Sequence, residues 1–375
     1  MKIGINLLGE SPLKSGTGRY ASELIKALLN IDNKNRYFLF VPAKSVDSWT
    51  RYISSSVNHR NCKVISIPIT GNLVLRRLSE QLLLPIYVLL TGVDILHSTN
   101  TVCPLINPTI DTVTIHDAAR WDLYYFRKIK DSFLRTLSRL SAVVARRVIT
   151  VSSFSKDRIS KIYNIKESKI ELTLLGSPVI NDGNHEGAKV AAVELIDDDK
   201  RYIVSVSSLE SRKNYPMLIK ALSLSNTPLR LKIVGKKAEG FDAVIKAINE
   251  NNMEERVDIM GFLDDAELDN VIKGAMFYTF VSKYEGAGLT PLEAMVKGKA
   301  VIASNIEPIR EYCGDSCYYV DPNDANSIAR AINLFYTDTR LRNDYVKKGL
   351  EQVKKWSWEN TALTTLIIWQ KLVNR

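Results

Sequence analysis

Cysteine and histidine are scarce in this chain, four of each among 375 residues. Cys62, Cys103, Cys313 and Cys317 form no CxxC pair and have no histidine cluster beside them. That argues against a disulfide framework and a structural zinc, and it predicts a reducing, cytoplasmic setting. Long apolar runs are missing as well. The uncharged stretch Gln81 to Val93 is only 13 residues with Pro85 inside, whereas a bilayer-spanning helix takes ~20. The first residues, Met1 to Leu8, read as a strand that runs straight into Gly9-Glu10, without the apolar core and cleavage site of a signal peptide.

What is present is an ordinary globular composition, 45% apolar and 25% charged, long enough for two or three domains at ~150 residues each. The net charge of +10 is unevenly spread. Residues 1–178 hold 25 Lys and Arg against 13 Asp and Glu, and residues 179–375 hold 26 against 28. A basic first half suits an anionic partner, whether a membrane surface, a nucleic acid or a phosphorylated ligand.

Short β-branched runs alternate with amphipathic stretches throughout, the pattern of α/β domains with parallel sheets covered on both faces. In the first half the predicted strands are Lys2 to Leu8, Tyr37 to Val41, Lys63 to Ile67, Ile95 to His97, Asp111 to Ile115, Arg147 to Val151 and Lys169 to Thr173. After Pro178, the turn-rich Asn181 to Gly187 reads as a linker within 179–199. The rhythm restarts with Tyr202 to Val206, Arg230 to Val234, Val257 to Met260, Phe277 to Val281, Ala300 to Ala303 and Cys317 to Val320. This predicts two doubly wound Rossmann-like domains, 1–178 and 200–355, facing across a cleft. A last helix over 356–375 is expected to cross back to the first domain. Ligands of such sheets bind beyond the carboxyl ends of the strands.

Four segments occupy such strand ends. Ser15-Gly16-Thr17-Gly18-Arg19-Tyr20 precedes a helix predicted from about Tyr20, where glycine backbone admits an anion and Arg19 or Lys14 adds charge, or where a plain flexible turn suffices. Thr114-Ile115-His116-Asp117 places a histidine beside a carboxylate, a proton-handling or hydroxyl-binding pair if not simply a satisfied loop pair. Ser208-Leu209-Glu210-Ser211-Arg212-Lys213-Asn214 sets two adjacent cations where a diphosphate is neutralised, or a solvated charge pair. Glu285 to Met295, EGAGLTPLEAM, is the richest. Its Thr290-Pro291-Leu292-Glu293 has the form of a helix capping box, which leaves Glu285 and the glycines unexplained. The other histidines, His59, His97 and His185, have no comparable setting.

In this order, SGTGRY, VTIHD, SLESRKN, Glu-x7-Glu from Glu285 to Glu293, and the closing Trp356-Ser357-Trp358-Glu359 resemble glycosyltransferase family 4 over nearly the whole chain. The resemblance implies a GT-B fold and retaining transfer of a sugar from a nucleotide diphosphate sugar, with no cofactor or metal required. It gives the acceptor to the first domain and the donor to the second. Arg212 and Lys213 would hold the diphosphate, Glu285 the sugar and Glu293 the ribose hydroxyls. The backbone of Gly286, Ala287, Gly288, Leu289 and Thr290 would meet sugar and phosphate, and Gly261-Phe262 would frame the base. Gly16 and Gly18 would border the reacting centre, with His116 and Asp117 beside it and the His116 carbonyl facing the cationic transition state. No general base is implied, because the departing phosphate oxygen takes the acceptor proton. Ser207-Ser208 stands where many relatives have Gly-Arg, and Thr17 where an apolar residue is usual.

The GRY and TIHD variants look most like bacterial mannosyltransferases of polysaccharide or O-antigen (lipopolysaccharide) assembly. GDP-mannose is then the expected donor, a UDP-sugar the alternative, and a lipid-linked glycan the expected acceptor. Between Phe126 and Val148, Lys128, Arg135, Arg139 and Arg146 fall on one helical line. Phe133, Leu137, Leu140 and Val144 are expected on the opposite side, against the sheet. Such a basic stripe fits an anionic membrane surface and a peripheral location on the inner face of the cytoplasmic membrane, or an ordinary solvated face. Two rival readings are an epimerase or phosphorylase of the same fold, and a nucleic-acid-binding module supported by charge alone. With the basic half coinciding with the acceptor domain, nucleic acid is not the expected partner.

Overall fold

The computed structural model describes residues 1–13, 15–56, 58–69, 73–123, 129–177 and 201–374. The expected linker, Lys14, Lys128 and His185 therefore lie outside the described residues. The chain divides into two units, Met1–Gly176 with Ser357–Arg375, and Ser177–Trp356.

The first unit follows the order β1 (Lys2–Asn6), α1 (Gly16–Ile31), β2 (Arg36–Pro42), α2 (Val46–Ile53), β3 (Cys62–Ile67), α3 (Leu73–Thr91), β4 (Ile95–Ser98), β5 (Ile110–Thr114), α4 (Ala119–Asp122), α5 (Ile129–Val144), β6 (Arg147–Thr150), α6 (Ser153–Tyr163) and β7 (Ile170–Leu172). Its strands form one parallel sheet in the order β3-β2-β1-β4-β5-β6-β7. The second unit runs β8 (Tyr202–Val206), α7 (Tyr215–Leu224), β9 (Arg230–Val234), α8 (Phe241–Glu250), β10 (Val257–Gly261), α9 (Asp265–Gly274), β11 (Tyr278–Phe280), α10 (Leu289–Val296), β12 (Val301–Ser304), α11 (Glu307–Cys313), β13 (Cys317–Val320), α12 (Ala325–Thr337) and α13 (Thr339–Val353). Its sheet, also parallel, is ordered β10-β9-β8-β11-β12-β13. Strand order reverses between β1 and β4 in one sheet and between β8 and β11 in the other. Loops diverge there and leave a crevice beyond the strand ends.

The last helix, α14 (Trp358–Val373), packs with the first unit. It runs along α1, where the Trp358 and Tyr20 ring centroids are 6.3 Å apart, Trp369 lies 5.2 Å from the His97 ring of β4, and the Thr361 hydroxyl donates to the Leu174 carbonyl at 2.7 Å. Among the described residues no helix is long and apolar enough to cross a membrane.

The expected orientation of α5 is corrected by the structure. The helix ends at Val144, so Arg146 lies beyond it. Leu137 is buried, but Phe133, Leu140 and Val144 are exposed. The buried face is made instead of Ser138, Ser141, Ala142 and, past the helix end, Ala145. Small side chains let α5 approach the sheet closely, and both serine hydroxyls are satisfied there, Ser138 by Tyr163 at 2.6 Å and Ser141 by the Leu137 carbonyl at 2.8 Å. Arg135 packs over the Trp121 ring at 5.4 Å, and Arg139 is exposed.

His97 is fully buried on β4, with Nδ1 3.0 Å from the Thr112 hydroxyl and Nε2 3.2 Å from that of Thr114. Burial, helped by nearby His116, pushes it down to about 3. The unfolded chain takes up this proton near pH ~6.5. The stabilising contribution is therefore complete above that pH and is lost as pH falls toward 3, by up to about 1.4 kcal/mol per pH unit. Urea denaturation between pH 6.5 and 4.5 checks this: His97→Gln should lose stability less steeply than wild type by about that slope.

Candidate active site

In the second unit the site grows from the loops after β8 and β11. The β8 loop makes a tight turn, Ser211–Lys213, and then enters α7 through Asn214, which has φ 63°. The Asn214 side-chain amide donates to the Val281 carbonyl at 3.1 Å and to the Pro322 carbonyl at 2.7 Å, pinning the turn to the exit of β11. The backbone amide of Lys283 donates to the Arg212 carbonyl at 2.8 Å and stitches the two loops together. Glu285 is thereby brought onto both cations. Its Oε1 accepts from Lys213 Nζ at 2.7 Å and its Oε2 from the Arg212 guanidinium at 2.7 Å. Lys213 also lies 5.2 Å above the centroid of the Phe280 ring.

All three groups are largely buried. Burial alone would raise the Glu285 carboxyl, but Lys213 and Arg212 outweigh it and hold it below the ordinary carboxylate range. Lys213 is lowered, chiefly by burial, with Glu285 opposing. The result is a pair of cations fixed in advance at a strand end, an arrangement that needs little reorganisation to meet developing negative charge.

Gly286, Ala287 and Gly288 lead from Glu285 into α10, whose first two residues are Leu289 and Thr290. The expected capping box is corrected here. The helix is capped by Gly288 with no side-chain hydrogen bond, so Thr290 is already inside it and Glu293 is half-buried in its second turn. A side chain at the cap has no room, since a Cβ on Gly288 would sit 2.9 Å from Tyr312 Cβ. At the end of β10, Gly261 has φ 70°, and Phe262 is 69% exposed with Lys236 Nζ 4.8 Å from its ring centroid.

The first unit gathers a separate group at the ends of β1, β4 and β5. Gly16 and Gly18 are not a loop but the first turn of α1, capped by the Ser15 hydroxyl, which accepts from the Gly18 amide at 2.9 Å. A Cβ on Gly18 would lie 2.5 Å from the Ser11 carbonyl oxygen. Thr17 donates to the buried Glu10 carboxylate at 3.0 Å, which explains its polar character, and Asn100 donates to the other oxygen. The His116 ring meets Tyr20 of α1 edge to face, with centroids 4.7 Å apart. Its Nε2 lies 3.0 Å from the Thr99 carbonyl, which fixes an Nε2–H tautomer. Burial lowers its pKa against the pull of Thr99, Asp117 and Glu10. The His116 carbonyl accepts from the Ser155 hydroxyl at 3.0 Å, and Asp117 accepts from the Ala119 amide at 3.0 Å at the start of α4.

Sequence reasoning missed Glu210 and Asn214 as parts of the site. Glu210 accepts from Arg212 Nε at 2.6 Å and from the Ser208 hydroxyl at 2.7 Å, so it aims the guanidinium. The signal lay within the quoted block itself, as an acid two residues before the cation. Among the described residues no group of three or more His, Cys, Asp or Glu gathers as a metal-binding set.

Removing the shared carboxylate leaves two buried cations without it. Glu285→Ala should cost about 3–5 kcal/mol of unfolding free energy. Glu285→Gln, which keeps an accepting oxygen, should cost less. Urea unfolding of the two variants against wild type checks the order.

Residues 188–352 match the family model described as "Glycosyl transferases group 1". The O-antigen chain mannosyltransferase B of Escherichia coli is 27% identical over 387 residues, covering 98% of each chain. A Campylobacter jejuni enzyme, N-acetylgalactosamine-N,N'-diacetylbacillosaminyl-diphospho-undecaprenol 4-alpha-N-acetylgalactosaminyltransferase, is 30% identical over 168 residues, 44% of this chain and 45% of its own. Among solved structures, sucrose-phosphate synthase from Thermosynechococcus elongatus superposes with a TM-score of 0.74 at 20% identity, covering 99% of both chains, a likeness of fold. The two parallel-sheet Rossmann-like units are those of the α/β GT-B fold. The chain carries a group 1 glycosyl transferase domain and is a glycosyltransferase.

Proposed function

We propose that the protein is a retaining mannosyltransferase that moves mannose from GDP-mannose to a lipid-linked glycan, working peripherally at the inner face of the cytoplasmic membrane. The observation that carries the reading is the buried Lys213–Glu285–Arg212 cluster at the β8/β11 strand-order reversal. Two fixed cations at such a place suit the diphosphate of a nucleotide sugar, whose leaving-group charge they neutralise without a metal. The name of the full-length Escherichia coli relative supports mannose, and that of the Campylobacter relative, with its diphospho-undecaprenol, supports a lipid-linked acceptor.

In this reading the bond from the anomeric carbon to the phosphate oxygen breaks while the acceptor oxygen bonds to the same face of the sugar. The acceptor proton passes to the departing phosphate oxygen. Lys213 and Arg212 stabilise that oxygen's charge, and Glu285, once the diphosphate shares the cations, faces the sugar hydroxyls. Glu293 binds the ribose, and Phe262 offers an exposed ring to the base. His116, held neutral by burial, positions rather than protonates.

Calorimetric titration with GDP-mannose, UDP-glucose and UDP-N-acetylglucosamine tests the donor. GDP-mannose should bind most tightly, and Lys213→Ala and Glu293→Ala should each weaken it at least about tenfold, the loss of a charge-assisted contact. Unchanged binding in both variants would remove the assigned roles, and preference for a UDP-sugar would overturn the donor.

A further inference from the structure

Helix α3 has an outward face of unusual composition. Every exposed residue from Leu75 to Leu90 is leucine or isoleucine: Leu75, Leu78, Leu82, Ile86, Leu89 and Leu90, from 47% to 76% exposed. At 100° per residue these six fall within about 120° of arc, and they extend about 23 Å along the helix axis. The charged residues of the helix lie elsewhere. Arg77 and Glu80 are buried and paired to each other, and Arg76 is half-buried. The opposite side packs Leu84 and Val88 onto the sheet beside Phe40 and Leu96. An apolar patch of this size exceeds what the surface of a monomer ordinarily carries without a function.

The face continues onto α5. The segment Cys103–Leu105 is clamped between the two helices. Gln81 of α3 donates to the Cys103 carbonyl at 3.1 Å and accepts from the Leu105 amide at 2.8 Å, while the Cys103 amide donates to Ser141 of α5 at 3.1 Å. Next along the chain is Ile106, 85% exposed, and α5 presents Phe133, Leu140 and Val143 outward. The exposed charges on or just beyond these faces, among the described residues, are Arg139 and Arg146, with one carboxylate, Asp94, three residues past α3 and accepting from the Lys2 amide at 2.7 Å.

We infer that the joined outer faces of α3 and α5 lie on an anionic lipid bilayer, with the leucine face of α3 in the acyl-chain boundary and Arg139 and Arg146 at the headgroups. A protein partner is less suited, because specific interfaces carry about one hydrogen bond per 100–200 Å² and the exposed face of α3 from Leu75 to Leu90 has no side chain able to make one. An apolar helical face flanked by cations is what interfacial lipid binding requires. The same helix also reaches the reaction side of the first unit. Glu80, on the opposite side of the helix from the leucine face, accepts from Asn6 at 2.6 Å at the end of β1. A helix lying on lipid would thus hold that strand end at the membrane surface. The inference rests on the lipid-linked acceptor proposed above and replaces the basic stripe of α5 with an apolar surface as the main contact.

Flotation with vesicles of phosphatidylglycerol and phosphatidylethanolamine, and of phosphatidylcholine alone, tests it on the full chain. Wild type should float with the anionic vesicles, and Leu82→Glu/Ile86→Glu/Leu89→Glu should lose at least about tenfold in partition. Arg139→Glu should remove most of the preference for anionic over neutral vesicles. Circular dichroism, thermal unfolding and GDP-mannose affinity should not change in the triple variant, because these side chains are exposed on the side of the helix facing away from Glu80 and the sheet. Equal flotation of wild type and triple variant, or no flotation of wild type, would overturn the surface while leaving the donor reading intact. Self-association of wild type that the triple variant abolishes would overturn it in favour of a second copy of this chain. Loss of nucleotide-sugar binding in wild type would instead be a failure of the proposed function.

Discussion

One carboxylate, Glu285, holds two cations in place at a strand end. Lys213 is buried enough that desolvation lowers its pKa, and Arg212 is fixed on three acceptors, Glu210, the Tyr284 carbonyl and Glu285 itself. A buried ion pair of this kind contributes modestly to stability compared with an apolar replacement, and breaking it is costly. Its physical use is preorganisation. The cations stand ready at a strand end, with charge already in place for the diphosphate proposed to bind there.

The rest of the second unit serves that placement. β8 and β11 are neighbours only because the strand order reverses between them, so their loops emerge side by side. Asn214 then ties one loop to Val281 and Pro322, and the Lys283 amide ties the other back to Arg212. The first unit repeats the topology around a different polar network. Between β1 and β4 it holds a buried network in which Asn6 donates to Glu80, Arg77 pairs with Glu80, and Asn100 and Thr17 donate to Glu10. These polar contacts fix the first turn of α1 and bring Tyr20 against His116.

The strands could be read from apolar runs because a parallel strand buried on both faces has no other composition available to it. Tyr202 to Val206, Arg230 to Val234 and Cys317 to Val320 coincide with β8, β9 and β13. The ordered motifs likewise led to Arg212, Lys213 and Glu285, since charged residues after buried strands are conspicuous. Helix orientation was harder. On α5 the periodicity pointed large side chains inward, but serine and alanine pack closer to the sheet when their hydroxyls find local acceptors. Thr290 to Glu293 has the letters of a capping box, yet the contact of Gly288 with Tyr312 starts the helix earlier. Asn214 was missed because its meaning lies in carbonyls 67 and 108 residues away.

The proposed reaction transfers a sugar on one face, with the leaving phosphate oxygen taking the acceptor proton beside Lys213 and Arg212 and no side-chain base on the opposite face. NMR of the glycosidic product made from α-configured GDP-mannose tests this most directly. An α linkage, read from the one-bond carbon–hydrogen coupling at the anomeric centre, is the predicted result. A β linkage would contradict it.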